Sequence, residues 1–311
     1  MNNRFKKKFL GNIKSNYVLQ QICSQIQEKR LFKIVKYNKN IQNRLNIEKN
    51  DYKTYKSIFI EIIPINIEDK NVYIRIKEEE EKYYHFYFND ETEDKKRNYF
   101  YKDENVTKIK IIVDYQTKSF VALFNDVDCI KKINFIKFKR NDITNMSYMF
   151  YNCSSLEELN LNNFNTNNVT NMCGMFQYCA LLKELNLNNF NTNKVTNMCG
   201  MFKGCSSLEE LNLNNFNTNN VTNMYGMFEG CSLLKELNLN NFNTNNVTNM
   251  CGMFEGCSSL KELNLNNFNT NKVTNMYGMF RGCSAELKNK IKNLNLNIKE
   301  KNHLKISYID F

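Results

Sequence analysis

The chain has 311 residues but no tryptophan, one proline (Pro64) and two histidines. Its apolar runs fall far short of the roughly 18–20 residues that cross a bilayer, which excludes a transmembrane helix. The N-terminus opens on basic residues, yet no apolar stretch of about 7–15 residues follows. No secretory signal is therefore expected, and the location is expected to be intracellular, in the cytoplasm. The eleven cysteines are accordingly expected as reduced thiols. There is no C-x-x-C, and His85 and His303 lie far apart, so neither a zinc site nor a Cys–His pair is supported. With no glycine-rich phosphate loop and no nucleophile–base pair, the expectation is a non-enzymatic chain without a cofactor or metal.

Asparagine, by contrast, is abundant, at 57 residues. The net charge of +11 is uneven. Residues 1–56 carry 14 Lys/Arg against 3 acids, whereas residues 141–285 carry 7 against 10. A basic head thus precedes a mildly acidic body. The head could touch an anionic surface, but its Lys residues are interleaved with apolar ones, as on a solvated helical face, and no nucleic-acid partner is expected.

A 26-residue step organises the body. Met149-Phe150 recurs as Met175-Phe176, Met201-Phe202, Met227-Phe228, Met253-Phe254 and Met279-Phe280. Cys153, Cys179, Cys205, Cys231, Cys257 and Cys283 keep the same interval. One unit supplies Leu208, Leu211, Leu213, Phe216, Val221, Met224, Met227, Phe228 and Cys231 as inward positions. The LxxLxL stretch reads as a short strand whose leucines can be buried only against neighbouring units. Stacked in register about 4.8 Å apart, each inward position becomes a ladder of like side chains. The Cys ladder is then a column of small core residues.

Degenerate copies extend the pattern. Ile130, Ile133, Phe135, Phe138, Ile143 and Met146 precede the first clean unit, with Phe124 in the Phe ladder. Val106, Ile109 and Ile111, and at the far end Ile291, Leu294 and Leu296, also fit LxxLxL. Eight parallel strands are therefore expected between 106 and 296. A short helix starting at Ser284-Ala285-Glu286-Leu287, with Ser284 as N-cap, is expected in the last cap.

Before the repeats, residues 16–46 show helical periodicity (Val18, Leu19, Ile22, Ile26, then Leu31, Ile34, Val35, Ile41, Leu45), which predicts two or three short helices. Strand-like runs follow at 58–63, 72–76 and 83–88, and predict a small antiparallel sheet. The acidic run 78–81 between them reads as a solvated turn.

The unit "CSSLEELNLNNFNTNNVTNMCGMF" resembles the BspA-like leucine-rich repeat family, marked by LxxLxLxxFxTxxVTxMxxMFxxC units. That resemblance implies a leucine-rich repeat solenoid with one parallel strand per 26-residue coil; with the small helical segment and short antiparallel β region read from the residues before it, the expected fold class is α/β. The resemblance also implies a role in protein–protein interaction, or a surface adhesin. The expected organisation is 1–56 helical, 57–101 β-rich, 102–298 solenoid with degenerate caps, and 299–311 tail. The spacing Ile22, Ile26, Leu31, Ile34, Asn38, Leu45 faintly resembles an F-box, without its Leu-Pro opening or Trp, and would imply a substrate adaptor of a ubiquitin ligase.

In such a fold the x positions of LxxLxL face the concave side. They carry Glu158, Glu184, Glu210, Glu236 and Glu262 in one row, and Asn160, Asn186, Asn212, Asn238 and Asn264 in another. These ten are the candidate contacts for a protein partner. Beside them runs the mixed row Glu157, Lys183, Glu209, Lys235 and Lys261, and two more Asn rows start at Asn162 and Asn163. The face holds no aromatic anchor of the kind that dominates tight interfaces. The Asn rows have a second, structural reading, since amides can hydrogen-bond along a stack. Thr166, Thr192, Thr218, Thr244 and Thr270 read as a further exposed ladder, the pattern of an ice-binding face.

Overall fold

The computed structural model describes residues 13–24, 38–45 and 57–292, save 115, 118 and 139. The chain divides into two compact units, Met1–Ser57 and Ile58–Phe311. In the first, α1 (Asn16–Ser24) and α2 (Lys39–Arg44) are the described helices. Ser15 Oγ accepts the Val18 N–H, and Asn38 Oδ1 accepts that of Ile41 at 3.1 Å, so each helix begins on a side-chain cap. Leu19, Cys23 and Ile41 are buried. Arg44 ties the two helices, donating to Asn16 Oδ1 at 2.7 Å and to the Lys14 carbonyl at 3.0 Å. Of the F-box-like positions, Ile26, Leu31 and Ile34 lie outside the described residues.

The second unit is mixed α/β. Its main sheet has the order β3–β5–β1–β6–β7, built from β1 (Ile58–Pro64), β3 (Tyr84–Phe88), β5 (Ile109–Val113), β6 (Ile130–Lys137) and β7 (Glu158–Asn160). Alternate residues of β1, β3 and β5 are buried, as the period-2 pattern of their Ile, Phe and Tyr requires. Pro64 ends β1 at a register shift opposite Ile130, one of the few places a sheet tolerates proline. β2 (Lys70–Val72) pairs with β4 (Tyr99–Tyr101) in a separate ribbon. The strand expected at 72–76 is thus confined to its first residue. The acidic run forms an exposed 3-10 turn, Glu78–Tyr83.

Two strand expectations are corrected. β5, which contains Ile109 and Ile111, is not the first parallel rung. It runs antiparallel between β1 and β3, and β1 separates it from β6. Its LxxLxL-like spacing arises because alternation of buried Ile and Val serves an antiparallel hairpin equally well. The sheet therefore crosses the expected boundary between 101 and 102. At the far end Ile291 lies in α3 (Ala285–Lys292) rather than in a strand. Ser284 Oγ caps that helix, accepting the Leu287 N–H at 3.2 Å. Leu294 and Leu296 lie outside the described residues.

Parallel pairing begins where β6 meets β7, Ile133 opposite Leu159, and recurs between β8 (Glu236–Leu237) and β9 (Glu262–Leu263). The LxxLxL stretches at 182–187 and 208–213 are not strands, so the eight expected parallel strands are not formed among the described residues. The more regular bonding lies elsewhere in the unit. Asn145, Asn171, Asn197, Asn223, Asn249 and Asn275 form an unbroken series of parallel bridges. From each of these asparagines the chain makes overlapping turns whose N–H groups alternate between two destinations. Met172, Gly174, Phe176 and Tyr178 donate to carbonyls one unit ahead, at Asn197, Cys199, Met201 and Lys203. Met175, Gln177 and Cys179 donate three residues back. Each amide of the stretch thereby finds a partner.

Inside, the nine positions from Leu208 to Cys231 are 0–7% exposed. Phe124, Phe150, Phe176, Phe202, Phe228, Phe254 and Phe280 stack at 5.6–5.7 Å with nearly parallel rings. Such offset pairs add about 0.5–1.5 kcal/mol each beyond their burial. The six ladder cysteines are buried and free. Each thiol donates to a Phe carbonyl of the preceding unit, as Cys205 does to Phe176 at 3.1 Å.

The threonine ladder is not exposed. Thr166, Thr192, Thr218 and Thr244 are 0–1% exposed, which rules out an ice-facing array there. Each hydroxyl closes a two-way bridge to the next unit. Thr218 Oγ1 donates to the Asn243 carbonyl at 2.9 Å and accepts the Asn243 N–H at 2.8 Å. Thr222, by contrast, is exposed and donates only to the Thr196 carbonyl at 3.2 Å. Replacing Thr218 by Val strands two buried backbone groups, each worth about 1–3 kcal/mol unsatisfied. Urea unfolding of the full chain should show Thr218→Val destabilised by roughly 2–4 kcal/mol, and Thr222→Val by no more than about 0.5 kcal/mol.

Candidate functional site

The repeat register sets the five glutamates in a row, with Glu236 directly opposite Glu262 in the β8–β9 pair. Glu158, Glu184, Glu210, Glu236 and Glu262 are all exposed. Their surroundings differ along the row. Glu158 pairs in register with Lys132, Nζ to Oε2 at 2.5 Å. At the other end Lys290 of α3 reaches Glu262 at 2.7 Å, and Glu286 at 3.1 Å. Between these ends Glu184, Glu210 and Glu236 make no ion pair among the described residues. The adjacent mixed row is partly neutralised from within, by Lys131–Glu157 at 3.3 Å and Lys235–Glu209 at 2.9 Å. Like charges held directly opposite one another are destabilising, so the three central carboxylates are a surface left unsatisfied by the fold.

The asparagine row has work inside the fold. In Asn160, Asn186, Asn212, Asn238 and Asn264 the side-chain oxygen accepts the N–H two residues on, at 3.0–3.1 Å. These are Asx turns, which bend the chain out of the strand. The amide nitrogens point along the stack, as when Asn238 Nδ2 meets Asn214 Oδ1 at 3.3 Å. The row that starts at Asn163 goes further. Asn215 Nδ2 donates to the carbonyls of Leu187 and Phe190 one unit earlier, at 2.9 and 2.7 Å. The ten expected residues thus share one surface, with Glu158 and Glu262 ion-paired, the three glutamates between them without an ion pair among the described residues, and the asparagines already committed in part.

Two side chains of this surface escaped the sequence reading. Leu181 and Leu233 are each 46% exposed. They replace the serine found at Ser155, Ser207 and Ser259, so the departure of "CALLKEL" and "CSLLKEL" from "CSSLEEL" was the available signal. Leu181 lines a hollow of about 730 Å³ with Lys132, Glu158, Asn160, Glu184 and Asn186. Carboxylates beside isolated apolar side chains suit a basic segment with an apolar contact of its own. They repel a phosphate backbone, which is held by cations.

His85 lies in a smaller hollow of about 380 Å³ in the β-rich part, with Nδ1 2.8 Å from Asp94. Asp94 Oδ1 accepts the N–H groups of Phe86 and Lys96, at 3.0 and 3.1 Å, and so organises the loop. Among the described residues no three His, Cys, Asp or Glu side chains gather in a metal-binding group. Nor is any helix there long and apolar enough to cross a membrane.

Residues 118–235 and 208–306, together more than half of the chain, match the family described as Mycoplasma protein of unknown function, DUF285. The chain belongs to this family. Its matched region coincides with the repeats and with the row of glutamates. A crystal structure of a leucine-rich repeat protein from Eubacterium ventriosum is similar at 16% identity, over 56% of this chain and 48% of that one, with a TM-score of 0.32. The chain thus spans about half the length of that protein. No curated protein matches the sequence.

The cation beside Glu158 has a measurable consequence. Its hydrogen bond and charge interaction with Lys132 hold the Glu158 carboxyl below the ordinary glutamate range, as Lys235 does for Glu209. A depressed carboxylate pKa favours the native state above the unfolded value of about 4.3, and that contribution is lost as pH falls through the native pKa. NMR titration of the full chain should show the Glu158 midpoint rising in Lys132→Gln, and the Glu209 midpoint unchanged in the same variant.

Proposed function

We propose that this chain is a non-enzymatic repeat protein whose 26-residue units form one continuous leucine-rich solenoid and whose exposed Glu row binds a basic segment of a protein partner. The observation that carries this reading is the gap in charge compensation. Lys132 and Lys290 neutralise the two ends of the row, whereas Glu184, Glu210 and Glu236, about one strand spacing apart, make no ion pair among the described residues, and Lys235, whose charge Glu210 feels, is itself paired with Glu209. A partner that supplies Lys or Arg at that spacing relieves the repulsion at several points together. Leu181 and Leu233 add apolar contact on alternate units. The row contains no aromatic anchor, so affinity comes from repetition of small contacts rather than from a single hot spot.

The test is cross-linked capture by the purified full chain, followed by direct binding of the identified partner. Reversal of one charge, Glu210→Lys, should weaken binding by less than about tenfold, since one of several equivalent contacts is lost. Reversal of Glu184, Glu210 and Glu236 together should abolish it, with circular dichroism unchanged. Binding should also weaken as salt rises, because the contacts are exposed charges. A triple variant that binds like wild type removes the Glu row from the interface.

A further inference from the structure

The turn surface of the repeats carries a column, separate from the glutamates, occupied in successive units by Ser147, Cys173, Cys199, Tyr225, Cys251 and Tyr277. Cys173 and Cys199 are neighbours in it, whereas Tyr225 and Tyr277 stand on either side of Cys251. The backbone pins the neighbouring pair. Asn171 and Asn197 bridge in parallel two residues earlier, and the N–H next to Cys173, that of Gly174, donates to the Cys199 carbonyl at 2.7 Å. Asn171 and Asn197 also hold the two cysteine N–H groups, each at 3.0 Å. Rungs of a parallel ladder lie about 4.8 Å apart, within the Cα separation of about 4.4–6.8 Å that a disulfide spans.

The surroundings are chemical as well as geometric. Cys199 is half-buried and lines a hollow of about 360 Å³ with Tyr148, Tyr151, Gln177, Lys203 and Tyr225. Cys173 is more enclosed, and its thiol donates to the Tyr148 hydroxyl at 3.4 Å. The Cys199 thiol beside it holds Cys173 below the ordinary thiol range, and the same neighbour pushes Cys199 up. The pair thus gives up one proton easily and the second with difficulty. In the core ladder the neighbouring thiols are buried, and Cys153 and burial push Cys179 well above the ordinary range. Burial pushes Cys205 and Cys231 well above the ordinary thiol range, and solvent does not reach them. Cys251 is likewise raised by burial, and has no thiol beside it.

We propose that Cys173 and Cys199 form a thiol–disulfide exchange site that a low-molecular-weight disulfide converts to an inter-unit disulfide. The anion of the pair rests on Cys173; when Cys199 passes its proton to that sulfur, the Cys199 thiolate, which lines the hollow, attacks one sulfur of the reagent. A Cys199–reagent bond forms, the reagent's S–S bond breaks, and one thiolate departs. Cys173 then loses its proton to the medium and attacks the Cys199 sulfur, expelling the second thiolate. Two protein thiols are oxidised by two electrons, and one reagent disulfide is reduced to two thiols. Lys203, beside Cys199 and paired with Glu229 at 2.8 Å, favours the attacking anion.

The test is incubation of the native full chain with oxidised glutathione, then acid quenching, alkylation and peptide mapping. The expected product is a chain lighter by two hydrogens, with a Cys173–Cys199 linkage, unmodified ladder cysteines, and Cys251 either free or carrying glutathione. In Cys173→Ser the reaction should stop at a glutathione adduct on Cys199. A native chain in which both thiols remain free overturns the proposal. So does one in which they carry glutathione without linking, or in which Cys199 links two chains instead.

Discussion

The backbone hydrogen bond from one unit to a carbonyl 25 residues ahead is the constraint on which the rest depends. It is made at every second residue of each turn, so it fixes which side chain lies above which. Once Phe176 must lie over Phe202, the cheapest arrangement is for every position to meet its own kind. Phenylalanines then stack as offset rings, threonines hand their hydroxyls to the next backbone, and thiols bond to carbonyls in a column. The alternative use of the intervening amides, three residues back, requires tight turns, and the asparagines and glycines of the unit supply them.

The same constraint makes the surface. A register that aligns like residues inside aligns like residues outside, and a glutamate in each unit becomes a file of negative charge. Among the described residues, ion pairs relieve this where the sequence departs from repetition, at Lys132 and at Lys290. The interior benefits from identity and the exterior is strained by it. The central carboxylates are therefore where the proposed basic partner would relieve most repulsion.

Much of this was legible in the sequence because its period is fixed. The inward residues, the Phe column through Phe124 and the row of glutamates all follow from the 26-residue step, and the Ser284 cap follows from a serine standing before a helix-forming run. What failed had specific physical causes. Ile109 and Ile111 alternate in a way that serves an antiparallel strand as well as a parallel one. The threonines seemed exposed because a hydroxyl was counted as a surface group, whereas paired donation and acceptance allow it to be buried. Asn160 and its counterparts were read as contacts, with amide stacking as the other possibility. Their Oδ1 atoms serve a third purpose, in turns, since an Asx turn has the same composition as a polar surface. Leu181 and Leu233 were visible as departures from the repeat and were passed over in favour of what recurs.

The turn position held by Gly204, Gly230, Gly256 and Gly282 has φ of +71° to +74° in each, where a side chain is strained. In the earlier units Asn152 and Tyr178 occupy it with positive φ, and the Tyr178 ring lies over Gly204, 2.3 Å from where a Cβ would stand. From Gly204 onward each glycine rests on another glycine, so at this turn the later units meet one another alike. A duplicated or deleted 26-residue block leaves this contact unchanged among the later units, whereas between Tyr178 and Gly204 it would have to preserve that one mismatched junction. At this turn, tolerance of a changed length belongs to one half of the array.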